Sequence, residues 1–178
     1  KITELAAPQK FEVVSLREGA LKRNSYDNIN KFREDYQLFS QDLNSTNTIL
    51  NNNKSLVDAL LLAAKQAKKP SNELIAKLYA TGQQLEGLDI KLNGDKVKSE
   101  IGERYNPTPG DGNFVAMMAL SATHGPTKNH IDAFDLAKNN LKTVKMEIKK
   151  IVEQDVPGLV NEVKASGAPW VEGQGFLD

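Results

Sequence analysis

The fold is decided by residues 25–68, SYDNINKFREDYQLFSQDLNSTNTILNNNKSLVDALLLAAKQAK. Apolar, small and short polar residues recur in this stretch in alternating steps of three and four, a heptad pattern carried through about five and a half repeats. A single long helix would hold all of them on one edge. At 1.5 Å per residue that helix would reach about 65 Å, so other segments must pack lengthwise against it. The edge consists of Ile29, Phe32, Tyr36, Phe39, Leu43, Thr46, Leu50, Asn53, Val57, Leu60, Ala64 and Ala67.

The weak point of this helix is the run 51–53, three consecutive asparagines. Asparagine is a poor helix former, so the triplet could end one helix, with Ser55 capping a second. Against this, Leu50 and Val57 lie one heptad apart, and the pattern resumes in phase beyond the triplet. A true break has no reason to preserve the phase. The sequence leaves both alternatives open and favours the single helix.

Two further segments have similar patterns. Pro70 stops the first helix, and Ser71 is placed to cap a second at about residues 71–92. Thr127 is placed to cap a last long helix at about residues 127–166. The second helix carries Leu74, Leu78, Thr81, Leu85, Leu88 and Leu92; the last carries Phe134, Ala137, Leu141, Val144, Ile148, Ile151, Val152, Val156, Leu159 or Val160, and Val163.

The last helix contains a proline, Pro157. Its apolar pattern drifts by one residue there, because Asp155 stands where an apolar residue is due and Val156 follows. Proline removes one helical hydrogen bond, so we expect a kink with the helix resuming beyond it. Gly167 fits a left-handed C-cap, and Trp170 is expected to fold back over the end of the bundle as a packing anchor.

Residues 96–125 interrupt this regularity. The run 107–112, PTPGDG, is predicted to be irregular, and the apolar run 114–120 is predicted to be a short buried helix. The expected fold is all-α. It is an elongated antiparallel up-down bundle of three helices, or of four, whose middle limb is broken and which begins with a short extended segment.

Residues 1–23 lack a helical pattern. Residues 11–16 alternate partly and include β-branched side chains, which indicates a strand or an extended segment. It either lies along the bundle formed by residues 24–178 or is the last strand of a preceding β domain, which we favour. The chain also begins at Lys1, so we interpret it as a piece of a longer protein.

Composition excludes several classes of function. Lysine plus arginine and aspartate plus glutamate number 23 each in 178 residues, so no net basic field favours nucleic acid. No window approaches eighteen consecutive apolar residues, which predicts no membrane-spanning helix. Cysteine is absent, so disulfides and thiolate sites are excluded. The sequence contains no nucleophile elbow, phosphate-binding loop or dinucleotide fingerprint.

Two short patterns resemble metal sites, and neither is complete. His124 and His130 have acidic neighbours, but His130 and Asp135 do not share a helix face, so solvated side chains are favoured. The fragment Asp111-Gly-Asn113 resembles the start of a calcium loop. Positions five, six and twelve of that loop would be Val115, Ala116 and Ala122, so a turn is favoured. The sequence predicts no metal and no cofactor.

An enzymatic role is the remaining alternative. Long interrupted loops are often functional, and the broken middle limb is one. A pocket there would be lined by Tyr105, Asn113 and His124.

Three stretches resemble a known family. Residues 7–14, APQKFEVV, are similar to the last strand before the helical region of large bacterial proteins with sortilin-like (BNR-repeat, "glycosyl hydrolase") β-propellers. Residues 125–127, GPT, resemble the start of their final helix. Residues 155–159, DVPGL, and 165–170, ASGAPW, resemble their C-terminal ending, although Gly158 stands where those sequences tend to have alanine.

The resemblance implies a C-terminal helical module in an exported bacterial protein, periplasmic, extracellular or on the cell surface. Its partner would be the upstream β-propeller or β domain of the same polypeptide, or another protein. The resemblance supplies no catalytic residue. The expected function is therefore a non-catalytic structural or protein-interaction module. The alternatives are a self-associating helical adaptor and an accessory substrate-binding domain of a glycoside-processing enzyme.

Overall fold

The computed structural model describes residues 7–14, 16, 19 and 21–174, and every regular element within these ranges is helical. The all-α prediction is confirmed for this part of the chain. The elements are α1 Tyr26–Lys65, α2 Asn72–Asn93, α3 Lys96–Glu100, α4 Pro109–Ser121, α5 Lys128–Lys150, a π-helical segment Ile151–Asp155, and α6 Val156–Ala165.

Helix α1 passes through the asparagine triplet without a break. Ser25 caps its start, since the Ser25 side chain accepts a hydrogen bond from the backbone N–H of Asn28. Within the triplet, Asn53 Nδ2 donates to the Ile49 carbonyl at 2.8 Å, so this side chain is satisfied by the helix itself. The predicted edge is buried along its whole length except at Tyr36 and Asn53, which are half-buried. The single-helix alternative is therefore the correct one.

Helix α2 packs along the second half of α1. All six of its predicted apolar-edge residues are buried. Asn93 Nδ2 donates to Asn47 Oδ1 at 2.7 Å, and Lys54 Nζ lies 2.6 Å from carboxylate oxygens of both Glu86 and Asp89. Later residues of α1 thus meet earlier residues of α2.

The Lys54 network is the best-connected charge cluster between these two helices. Burial alone would lower the pKa of Lys54, but hydrogen bonds to Asp89 and Glu86 outweigh burial and raise it. Burial alone would likewise raise the pKa of Asp89, but hydrogen bonds from Lys54 and Asn93 outweigh it and lower the pKa. Both shifts favour the charged pair in the folded state.

Helices α5 and α6 lie beside α1 with the numbering rising in the same direction. The Phe134 ring contacts the rings of both Phe32 and Phe39, with centroids 5.1 Å apart in each case. Further along, Lys145 forms an ion pair with Asp42. The core therefore runs lengthwise between α1 and α5.

Helix α4 corrects two predictions. Residues 107–112 are not all irregular, because Thr108 caps α4 and Pro109 occupies its first turn, a position where proline is well tolerated. The apolar run is not buried as a whole either. Its buried residues are Pro109, Gly112, Ala116 and Ala119, whereas Phe114, Met117 and Met118 are 59%, 44% and 50% exposed.

The exposure of these large side chains of α4 is explained by how closely α4 approaches α5. A Cβ atom on Gly112 would fall 2.1 Å from the Cβ of Ala137. No larger side chain fits at this crossing, so the buried positions there are glycine and alanine, and Phe114, Met117 and Met118 face solvent. Leu120, at the far end of the run, is half-buried against the core.

The one-residue drift near Pro157 corresponds to the π-helical segment. There the Val156 N–H donates to the Ile151 carbonyl, five residues back, so the turn holds one extra residue. The buried sequence continues as Ile151, Val156 and Leu159. The helix resumes as α6 beyond this wide turn, as predicted.

The two ends of the described chain differ. Gly167 has φ +70° after α6, which confirms the left-handed cap. Trp170 is 48% exposed, and it is Ala168 and Val171 that pack against the core cluster at this end. Residues 7–14 are exposed and form no strand. The preceding β domain stays a prediction.

We expect Gly112→Ala to destabilise the protein by about 1–3 kcal/mol, because the new methyl group overpacks the α4–α5 crossing. Gly87 is a matched control, since it is also helical and has no atom within 4 Å of a Cβ position. Gly87→Ala should stabilise by about 0.5–1 kcal/mol through helix propensity. Urea unfolding measures both. Equal effects of the two substitutions would contradict the close crossing.

Asp89→Asn should lower the free energy of unfolding by about 1 kcal/mol at pH 7. Because folding lowers the pKa of Asp89, its contribution is present above the unfolded pKa and is lost as pH falls through the folded value. In urea titrations at several pH values, the difference between the variant and the parent should therefore begin to shrink below about pH 4 and vanish only below the lowered pKa of folded Asp89. Glu73→Gln, which removes an exposed pair with Lys77, is the control and should change little.

Candidate functional site

A cavity of about 550 Å³ lies between the end of α2, the segment leading to α4, and α5. Tyr105 lines it, together with charged residues of both signs. Two of these are already paired, with Lys91 Nζ 2.7 Å from Glu147 Oε2. Asn140 Nδ2 donates to the Pro107 carbonyl at 3.0 Å and so holds the wall in place. Two contacts thus join polar groups of the lining to each other, Lys91–Glu147 and Asn140–Pro107.

Tyr105 has a structural partner here. Its hydroxyl donates to Asp111 Oδ1 at 3.3 Å, and its ring lies against Gly94, whose Cβ position would be 3.1 Å from the ring. The negative charge of Asp111 raises the pKa of Tyr105, because it disfavours the phenolate. Tyr105 therefore stays a neutral donor at neutral pH and is a poor base.

Asp111 explains the fragment that resembled a calcium loop. Its Oδ2 accepts hydrogen bonds from the backbone N–H of Thr108 at 2.9 Å and from the Thr108 hydroxyl at 2.8 Å. The Thr108 hydroxyl in turn accepts from the Asp111 N–H. This reciprocal pair is a capping box with aspartate at its third position. The Asp111 carboxylate therefore helps to cap the start of α4.

The other two predicted pocket residues do not line the cavity with Tyr105. Asn113 lies on α4, and its side-chain oxygen is buried without a hydrogen-bond partner in the described chain. His124 lies in the turn after α4, and its carbonyl accepts from the Asn24 N–H at 3.0 Å. The structure therefore does not bring the three residues together in that cavity.

The second histidine, His130, is also a capping residue. Its Nδ1 accepts from the backbone N–H of Thr127 at 3.2 Å, while the Thr127 hydroxyl accepts from the His130 N–H. The sequence predicted Thr127 as the cap but not the return bond to His130, because the usual residue at the third position of a capping box is glutamate or glutamine. Within the described ranges no three histidine or acidic side chains are grouped so as to hold a metal ion.

The feature that stands out is the outer face of α4, formed by Phe114, Met117 and Met118. Single exposed apolar residues are common on protein surfaces and need no explanation. Here one short helix exposes three large apolar side chains together, while its buried helical positions include glycine and alanine and its Leu120 is half-buried against the core. Phenylalanine and methionine are typical of protein-binding surfaces, and the flexible thioether adapts to a partner. The α4 outer face is therefore our candidate interaction surface.

The N-terminal segment approaches the C-terminal end of α4. A Cβ atom on Gly19 would lie 3.8 Å from Thr123 Oγ1, just after α4. Asn24 Nδ2 donates to the Pro126 carbonyl at 2.6 Å. Gly125, between these contacts, has φ +80°, and a Cβ there would lie 2.8 Å from Ile29 Cγ1, so glycine is needed. These contacts place the N-terminal segment beside the turn between α4 and α5, where it leaves the helices.

Comparison with family models, curated proteins and solved structures finds no match to this chain. Among the described residues, no helix has both the length and the hydropathy that crossing a bilayer requires.

Thr108→Ala should cost about 1–2 kcal/mol of stability, because α4 loses its N-cap and Asp111 loses a donor. Thr48→Ala is the control: Thr48 is exposed in the middle of α1, and its loss should change stability by less than about 0.5 kcal/mol. Thermal or urea unfolding followed by circular dichroism measures both. Equal costs would contradict the capping role.

Proposed function

We propose that this chain is a non-catalytic helical module that binds a protein domain through the α4 outer face. The inverted arrangement of α4, with glycine and alanine inside and phenylalanine and methionine outside, carries this proposal. Exposing large apolar side chains has a free-energy cost in water, and a partner surface that covers them removes it. No catalytic residue enters the proposal.

The scaffold is, in this proposal, an elongated antiparallel bundle of three limbs. The first limb is α1, the second runs from α2 through α4, and the third is α5 with α6. The pairs Asn47–Asn93 and Lys54–Glu86 support a second limb antiparallel to the first. The pairs Lys91–Glu147 and Lys77–Glu162 support a third limb antiparallel to the second.

The partner we propose is the preceding β domain of the same polypeptide. The N-terminal segment leaves the helices at the end of α4, and its residues Phe11, Val13 and Val14 are exposed. A domain attached through this segment would begin next to the α4 outer face. The effective concentration of a tethered domain is high, so even a small apolar face is enough to hold it.

The sequence resemblance supports the same context. It implies that the preceding region includes a sortilin-like β-propeller and that the whole protein is exported by a bacterium. The bundle would then brace the propeller or its adjoining β domain. The reading frame upstream of Lys1 tests this context directly, and an upstream region without propeller repeats would overturn it.

Methionine oxidation tests the docking face. The chain has three methionines, of which Met117 and Met118 lie on the α4 outer face and Met146 lies on α5, 58% exposed. At a protein concentration low enough to keep the 178-residue chain monomeric, dilute peroxide should oxidise all three, because exposed thioethers react. In the polypeptide extended by its own upstream region, Met117 and Met118 should be protected several-fold and Met146 should not.

A variant pair completes the test. In the extended polypeptide, Phe114→Ser should restore oxidation of Met117 and Met118, because it weakens the docked face. Leu62→Ser, at an exposed apolar residue of α1, should leave the protection unchanged. Equal oxidation of Met117 and Met118 in the short and the extended chains would overturn docking through α4.

A further inference from the structure

A second apolar surface lies away from α4, between α1 and α5. This α1–α5 groove has a volume of about 520 Å³. Its floor includes the buried residues Phe39 and Leu141. Its rim includes Leu38 on α1 and Met146 on α5, which are 67% and 58% exposed. Large apolar side chains thus stand on both sides of a groove that already has an apolar floor.

The groove continues toward the start of α1. A neighbouring cavity of about 310 Å³ shares Asp35 and Lys138 with it and reaches Asn24 and Pro126. In the other direction, Ile49 is exposed and lies eleven residues beyond Leu38, about three helical turns, so it faces the same side of α1. From Asn24 to Ile49 the surface is about 35 Å long, and two adjacent helices make it about 20 Å wide.

Charges are separated across the groove. The α1 wall of the larger cavity is acidic, with Asp35 and Asp42, and its charged partners on α5 are all basic, as Lys138, Lys142, Lys145 and Lys149. The neighbouring cavity shares Asp35 and Lys138 and adds one charge of the opposite sign on each helix, Lys31 on α1 and Asp135 on α5, of which Asp135 is ion-paired with Lys138. Neither Asp35 nor Lys142 has an ion-pair partner among the described residues.

We infer that the α1–α5 groove binds a second copy of this chain, with the twofold axis parallel to the helices. Such an axis places α1 of each copy opposite α5 of the other at the same height. Side-chain contacts join α1 residues to residues 102 or 103 positions later, as in Asn24–Pro126 and Asp42–Lys145. Asp35 therefore faces the region of Lys138 and Lys142 of the second copy.

Lys31 and Asp135 fit the same axis. Lys31 lies at the height of residue 133, so it faces the region of Asp135 of the second copy. A twofold axis perpendicular to the helices would instead set α1 against α1 and α5 against α5. Aspartates would then face aspartates and lysines would face lysines, which is destabilising. The charge pattern therefore selects one of the two face-to-face arrangements.

The α1–α5 groove surface is large enough for a stable dimer interface. About 35 Å by 20 Å gives an area of the order of 700 Å² on each copy, close to the ~800 Å² per partner of a typical stable interface. Leu38, Ile49 and Met146 would be buried together with the apolar floor. This inference is independent of the proposed role of α4, which uses a different face.

Charge exchange tests the arrangement. Sedimentation at several concentrations should show a dimer for the parent chain. Asp35→Lys or Lys142→Glu alone should weaken association at least about tenfold, because each puts like charges opposite each other twice. An equimolar mixture of the two variants should dimerise again, since both facing pairs are then of opposite sign.

Controls separate this surface from others. Glu34→Lys changes charge equally but lies about 100° around α1 from Asp35, outside the groove, and should leave the dimer intact. In the dimer Met146 should be protected from peroxide while Met117 and Met118 react, the reverse of the pattern expected for docking through α4. Circular dichroism checks that each variant is folded.

A parent chain that stays monomeric up to several hundred micromolar would overturn the inference. Dimerisation unaffected by either variant would overturn it too, because it would place the contact elsewhere. If both variants dissociate and their mixture does not recover, the proposed axis is wrong.

Discussion

The structure depends on burying one continuous apolar edge of α1. That helix has forty residues, whereas α2 has twenty-two, so α2 covers only the second half of α1. The first half needs another cover, and α4 with α5 supplies it through residues such as Ala116, Ala119 and Phe134. The irregular stretch between α2 and α4 follows from this, because α3 and the segment up to Thr108 connect two helices that pack against different parts of the same edge of α1.

The space left for α4 then determines its surface. Phe32, Phe39 and Phe134 already fill the core between α1 and α5. A helix that joins them there approaches α5 until Gly112 meets Ala137, and only small residues are tolerated at such a crossing. Phe114, Met117 and Met118 are left on the outside by the same geometry, whereas Leu120 packs against the core. The exposure of this apolar face is thus a consequence of close packing.

Sequence reasoning was accurate where apolar residues are spaced by polar ones. The edges of α1 and α2 could be predicted residue by residue, and even the drift near Pro157 reflected a real extra residue in the turn. It was wrong for α4, because residues 114–120 are apolar at every position and periodicity then assigns no inward side. The usable signal was residue size, since Gly112, Ala116 and Ala119 repeat in steps of four and three. It also missed that histidine and aspartate can complete a capping box.

The helix-capping contacts also determine which polar side chains are free for chemistry. A catalytic or metal site needs polar groups that the fold itself does not use. Asp111 and His130 hold helix starts, Asp95 caps α3, and the hydroxyl of Tyr105 is bonded to Asp111. Asp111, His130 and Tyr105 are among the residues that the sequence offered for chemistry, and the fold uses their polar groups. Apolar faces are different, because nothing within the described chain covers the outer side of α4 or the rim of the α1–α5 groove. Recognition of other protein surfaces is the activity that such a distribution supports.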